Sequence, residues 1–175
     1  MAIRSVLKIG DPLLYQIAKP VLEFDTPELH TLIDDMRDTM ASLNGAGLAA
    51  PQIGVSSRVV IFSMDKNPRY PNQAAIEETV LINPEIEVLD EQEQGMWEGC
   101  LSVPGMRGYV ERPSHIRYSG FDQYGNKIDR TVSGFHAIVV QHECDHLDGV
   151  LYPMKIKDMR MFGYEKELVN RTDYV

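Results

Sequence analysis

The stretch QHECDHLDG at residues 141–149 sets His142 and His146 four positions apart, with Glu143 directly after the first. Four helical residues turn about 400°, so on an α-helix the two imidazoles project from nearly one face and can hold one cation between them. Glu143 lies too far round to be an easy third ligand but can reach a water on that cation, where a general base belongs. Burying these three side chains with nothing between them would be costly, because each needs a partner. A catalytic site of this kind uses three protein ligands and leaves one position open. The chain offers two sources for the third. One is a downstream glutamate, Glu165 or Glu167, which would make an HExxH zinc peptidase. The other is Cys100 in WEGCLSVPG, where Gly99, Pro104 and Gly105 predict an irregular strand segment that exposes the thiol. A closed structural zinc site would call for four protein ligands and leave Glu143 without a task. Cys100 as a histidine-activated nucleophile would demand a thiolate free of metal.

The histidine pair needs a helix to carry it. Ser133 can cap one running from about Phe135 to Asp148, with Gly149 just past its end. Phe135, Ile138, Val139 and His142 fall roughly on the side of His146. A second, longer helix is predicted near the N-terminus: Thr26 as cap, Pro27 at the first position, Leu29, Leu32, Ile33, Met36, Met40 and Leu43 on one face, and Asn44-Gly45 as the stop. After Gly54 the chain reads as short strands, RVVIFSM, TVLINP, EIEVLD, HIRYSGF and NKIDRTV, the last two joined by a hairpin turn over residues 122–126. Pro68 and Pro71 mark a loop, and one of Arg107 and Arg112 is expected to pair with Glu98. Asp145 and Asp148 support the helix surroundings. The segment from Lys155 onward is only weakly periodic and is left between a short helix and an extended tail. The expected fold is α+β: mostly antiparallel β-sheets packed around a metal-bearing central helix, with the second long helix near the N-terminus.

At 175 residues, 43% hydrophobic and 25% charged, the chain suits one soluble domain with its own core, taken as residues 1–175. A net charge of −9 argues against direct nucleic-acid binding, which needs clustered Lys and Arg. Cys100 and Cys144 are too few for a disulfide scaffold, and the opening MAIRSVLKIGDPLLYQIAKPV is neither a signal peptide nor a membrane span, so a cytoplasmic protein with no membrane partner is expected.

Three stretches then act together. GAGLAAPQIG (45–54), EGCLS (98–102) and QHECDH (141–146) resemble, in order and separation, the three signature motifs of the peptide deformylases. The likeness runs over nearly the whole chain to Gly149. It implies removal of the formyl group from the N-terminal formylmethionine of nascent chains, with those N-formylmethionyl peptides as partners. Carried over by position, it implies Cys100, His142 and His146 as metal ligands, Cys144 as a bystander and Glu143 as general acid and base. Gln52 and the backbone N–H of Leu101 would donate to the reacting oxygen. Gly47, Ala46 and Gly99 would flank an extended peptide added as a strand, and Phe135, Ile138 and Val139 would receive the methionine side chain. The implied cofactor is one divalent ion per chain, Fe2+ in the cell, replaceable by Zn2+ or Ni2+. Ala46 stands where the family usually has a bulkier aliphatic residue, which predicts a wider wall on the peptide side. The C-terminal segment does not resemble the long basic helix some members use at the ribosome, so docking through the tail is not predicted.

Overall fold

In the computed structural model, which describes residues 2–65 and 73–169, the Thr26 hydroxyl accepts from Leu29 N at 3.2 Å and Pro27 opens helix α1 (Pro27–Ser42). The Leu43 and Gly45 N–H groups close on the Met40 carbonyl, and Asn44 turns the chain at φ +50°, so the Asn-Gly stop acts as predicted. Leu29, Ile33, Met36 and Met40 are buried, whereas Leu32 is half-buried and Leu43 is exposed. Two polar residues share the inner side: Asp35 accepts from Ala2 N and Arg4 Nε, and the Thr39 hydroxyl accepts from Arg4 N. The N-terminal segment is thereby laid along α1. The loop expected around Pro68 and Pro71 lies outside the described residues.

The strands are β1 (Gly47–Ala49), β2 (Val59–Met64), β3 (Ile76–Cys100), β4 (Val103–Phe121), β5 (Lys127–Ser133) and β6 (Phe162–Tyr164). All pair antiparallel in the order β1-β2-β3-β4-β5, with β6 added to β4. The two runs TVLINP and EIEVLD, expected as separate strands, belong to one 25-residue strand whose register against β4 shifts four times. Such irregularities bend and twist a long strand rather than end it. The predicted hairpin after HIRYSGF is present, its Asp122 carboxylate accepting from Tyr124 N and Asn126 N at 2.9 Å.

β2 is buried on both faces, which explains why it reads as an unbroken apolar run rather than an alternation. Val59 and Ile61 pack with the apolar face of α1, and Val60 and Phe62 pack with helix α2 (Gly134–Leu147). Ser133 does occupy the cap position of α2, but its side chain makes no capping bond, contrary to expectation; Gly134 enters at φ +62° instead. Gly149 does follow α2 in the left-handed region, φ +72°, and a side chain there would overlap the Tyr15 backbone. A third apolar cluster, Val103, Val110 and Tyr152 with Met106, Ile156 and Phe162 against it, backs Cys100. Of the tail left open by the sequence, the described part, up to residue 169, holds a single turn (Met159–Met161), β6 and one short helical turn, α3 (Glu165–Leu168), and the rest lies outside the described residues.

Candidate metal centre

Helix α2 delivers His142 and His146 one turn apart, their rings 5.2 Å between centroids, and the end of β3 delivers Cys100 to the same spot. One ligand atom from each of the three lies within 4.8 Å of the other two, and this is the only such group of His, Cys and carboxylate among the described residues. The Cys100 Sγ to His146 Nε2 distance is 3.3 Å. The thiol is not exposed as the Gly99 and Pro104-Gly105 signals predicted: Cys100 is 6% accessible, because β3 turns tightly into β4 there and pairs Cys100 with Val103.

Behind the cluster stands a chain of charges. His142 Nδ1 lies 2.7 Å from Glu98 Oε2, which leaves Nε2 to face the cluster. Arg112 clamps both oxygens of Glu98 and donates to Asp145 at 2.7 Å, so the expected ion pair with Glu98 belongs to Arg112. Burial opposes the charge on Glu98, but hydrogen bonds from His142 and Arg112 outweigh it and hold the carboxyl at about 2. Burial likewise opposes ionisation of Cys100, yet the charge of His146 and bonds from both histidines hold the thiol well below its ordinary range. His142 is raised well above the usual imidazole range, against burial, by bonds to Cys100 and Glu98. Together these shifts describe a pocket that favours positive charge between a thiolate and a carboxylate. A divalent cation would satisfy that demand in place of the extra proton on His142.

Gln52 is set by the single turn Ala50–Ile53 that follows β1. Its Oε1 accepts from Ala49 N at 2.8 Å, which forces Nε2 to point inward, where it lies 3.3 Å from Cys100 Sγ and 3.1 Å from Ser102 Oγ. Glu143 is buried beside Gly47, and a β-carbon on Gly47 would overlap the Glu143 carboxylate. Burial pushes Glu143 up to about 7, and its Oε2 has no hydrogen-bond partner among the described residues. A cleft opens over these groups, lined among others by Ala46, Gly47, Gly99, Leu101, Phe135, Ile138 and Val139. The residues carried over from the family likeness therefore all line the cleft or join the cluster. The peptidase alternative does not survive: Glu165 sits at the surface in an ion pair with Arg107 at 3.0 Å, away from the histidines.

Three groups escaped the sequence reading. Met96 lines the cleft two residues before Glu98, on the same side of β3, and strand alternation from Cys100 back through Glu98 would have found it. The Ser102 hydroxyl meets Gln52, and Tyr152 stacks on His142 at 6.0 Å and 24°; neither has a spacing signal.

The profile of the polypeptide deformylase family matches residues 3–161. The chain belongs to the peptide deformylase family. It is 61% identical to peptide deformylase 1 of Nitrosomonas europaea over 95% of this chain and 94% of that one, and 58% identical to peptide deformylase 2 of Ralstonia nicotianae over the same shares. A class I type b peptide deformylase from Acinetobacter baumannii, solved with Met-Ala-Ser bound, superposes with a TM-score of 0.86 at 39% identity, covering 89% of this chain and 99% of that one. The family's activity, metal-dependent hydrolysis of the N-formyl group from new polypeptides, is accordingly the activity of this chain. No helix among the described residues is long and apolar enough to cross a membrane.

Proposed function

We propose that Cys100, His142 and His146 hold the cation, ferrous in the cell, and that Glu143 carries the proton through hydrolysis of formyl-Met peptides. The observation that carries this reading is the meeting of three mutually close, buried ligand atoms with an unpartnered carboxylate oxygen in one cleft. When bound, the cation supplies Lewis acidity, making water a usable nucleophile near neutral pH and polarising the formyl carbonyl.

The rest is the work of side chains. Glu143 accepts a proton from the attacking water as its oxygen bonds to the formyl carbon. Burial holds Glu143 at about 7, close to working pH, and a bound cation would favour its ionised form for that step. Negative charge gathers on the former carbonyl oxygen, where Gln52 Nε2 and Leu101 N–H donate; one fixed donor of this kind is typically worth about 3–4 kcal/mol. Glu143 then hands its proton to the amide nitrogen, the carbon–nitrogen bond breaks, and formate and a free N-terminal amine leave. The peptide lies along residues 45–47 as an added strand held by main-chain bonds, with its methionine against Phe135, Ile138 and Val139. The small Ala46 leaves room on the peptide side. A β-carbon on Gly99 would meet the Arg107 side chain at 3.0 Å, so the glycine leaves room for that arginine.

A thiolate with two imidazoles is a soft, electron-rich donor set that suits iron, zinc or nickel. The choice of ferrous iron rests on the family likeness and predicts loss of activity on exposure to air, with zinc as an occupant of aerobic material. The whole chain, 1–175, works as one catalytic domain in the cytoplasm, where formylated chains are made.

Formate release from formyl-Met-Ala-Ser, with and without a hydroxamate chelator, tests the reading. Chelator-sensitive turnover that Cys100→Ala abolishes together with metal retention supports it. Turnover indifferent to the chelator, or metal retained by Cys100→Ala, overturns it. Iron analysis of anaerobically prepared protein decides the metal: full activity on zinc with no iron present removes the ferrous assignment.

A further inference from the structure

We infer that Lys8 is a positioning residue for the reaction, acting through the Leu101–Ser102 peptide on the Cys100 sulfur. The inference rests on the assignment of Cys100 as a metal ligand. Lys8 Nζ donates to the Leu101 carbonyl at 2.8 Å. The N–H of that same peptide unit, on Ser102, points to Cys100 Sγ at 3.4 Å. A peptide is planar, with its C=O and N–H opposed, so fixing the oxygen from outside fixes where the N–H points inside. A cation on the oxygen also polarises the unit and strengthens the bond its N–H makes.

Lys8 does not act alone. Leu7 N donates to the Gln52 carbonyl and Ile9 N to the Ser102 carbonyl, each at 2.8 Å. Residues 7–9 thus strap together the two segments that face the reacting oxygen, the Gln52 turn and the Leu101–Ser102 turn, which also meet through Gln52 Nε2 and Ser102 Oγ. Backbone atoms hold two of the three points and survive any substitution. Lys8 is the one point made by a side chain, and it is exposed, so replacing it leaves the core intact.

A hydrogen bond to a ligating thiolate withdraws electron density from the sulfur and makes the cation a stronger Lewis acid. Losing it in Lys8→Met therefore lowers kcat while KM stays put, since the peptide is held along the β1 side and the helix. The loss is roughly 3- to 10-fold, less than the 10- to 100-fold of direct outer partners, because Lys8 works through an intervening peptide.

The test uses cobalt-loaded full-length protein, in which thiolate ligation gives a sulfur-to-metal charge-transfer band. The expected result is a shift of that band to lower energy in Lys8→Met, recovery toward the native position in Lys8→Arg, a matching fall and recovery of kcat, and an unchanged thermal midpoint. A band that stays in place in Lys8→Met overturns the inference, as does a fall in kcat that tracks only a lowered midpoint. Absence of the band in the native protein would instead remove the Cys100 assignment itself, so the two failures are told apart.

Discussion

Glu143 and Gly47 are one device made of two residues. The carboxylate lies against the glycine Cα so closely that a methyl group there would occupy the space of Glu143 Oε1 and Cδ. The glycine lets the carboxylate sit at the cleft edge, and its own main chain is then next to the substrate strand. Gly47→Ala is expected to displace Glu143 and lower kcat/KM by about 100-fold or more, the cost of a misplacement near 1 Å. Metal content should not change, because the proposed ligands sit on α2 and β3. Glu143→Gln keeps the shape and removes the proposed proton carrier; the expected loss is about 10²–10⁴-fold, again with metal bound. Metal analysis beside steady-state kinetics checks both, and loss of metal in either variant would count against the separation of base from ligands. The place of Glu143 beside the histidine pair but outside the three-atom cluster was legible in HExxH from spacing alone. The need for glycine at 47 was not, because a close approach between β1 and α2 leaves no mark on local sequence.

At the scale of elements, the charged chain His142–Glu98–Arg112–Asp145 ties β3, β4 and α2 to one another. Glu98 is 4% and Arg112 2% accessible, so either charge left alone would be stranded away from water. Arg112→Met should cost about 3–5 kcal/mol of stability, the usual result of breaking a buried pair from one side. The pH dependence follows from Glu98. Its folded carboxyl is held at about 2 against an ordinary 4.5, so its contribution is complete above pH 4.5 and is lost as pH falls toward 2. Urea unfolding at pH 6 and pH 3 should show a gap in the native protein that narrows in Arg112→Met, where burial lets the carboxyl take up its proton in the folded state; an equal gap in both proteins would sink this account. The ion pair was expected from sequence, but two arginines were candidates and only the fold sends Arg107 to Glu165. The long β3 was hidden for a different reason. Residues 85–94 are mostly exposed on both sides, so the alternation that reveals a half-buried strand is absent there.

Over the whole molecule, the centre exists only when distant parts of the chain are folded together. Cys100 and His146 are 46 residues apart in sequence, and Gln52 is another 48 residues before Cys100. A cation bound by such a set binds the folded chain far better than the unfolded one, so its binding energy adds to folding stability, about 4 kcal/mol when free metal is 1,000 times its dissociation constant. The two apolar layers on the faces of the sheet do not depend on it, because α1 and α2 pack on β1, β2 and β3 through Ile33, Met36, Val60 and Phe62. Stripping the metal should therefore lower the thermal midpoint without abolishing the cooperative transition. In Cys100→Ala, which has already lost that increment, the chelator should move the midpoint little. Thermal unfolding followed by circular dichroism, with metal content measured on each sample, checks this. A native midpoint that holds steady after verified stripping would mean that the cation is a passenger on a finished scaffold rather than part of what holds α2 against the end of β3.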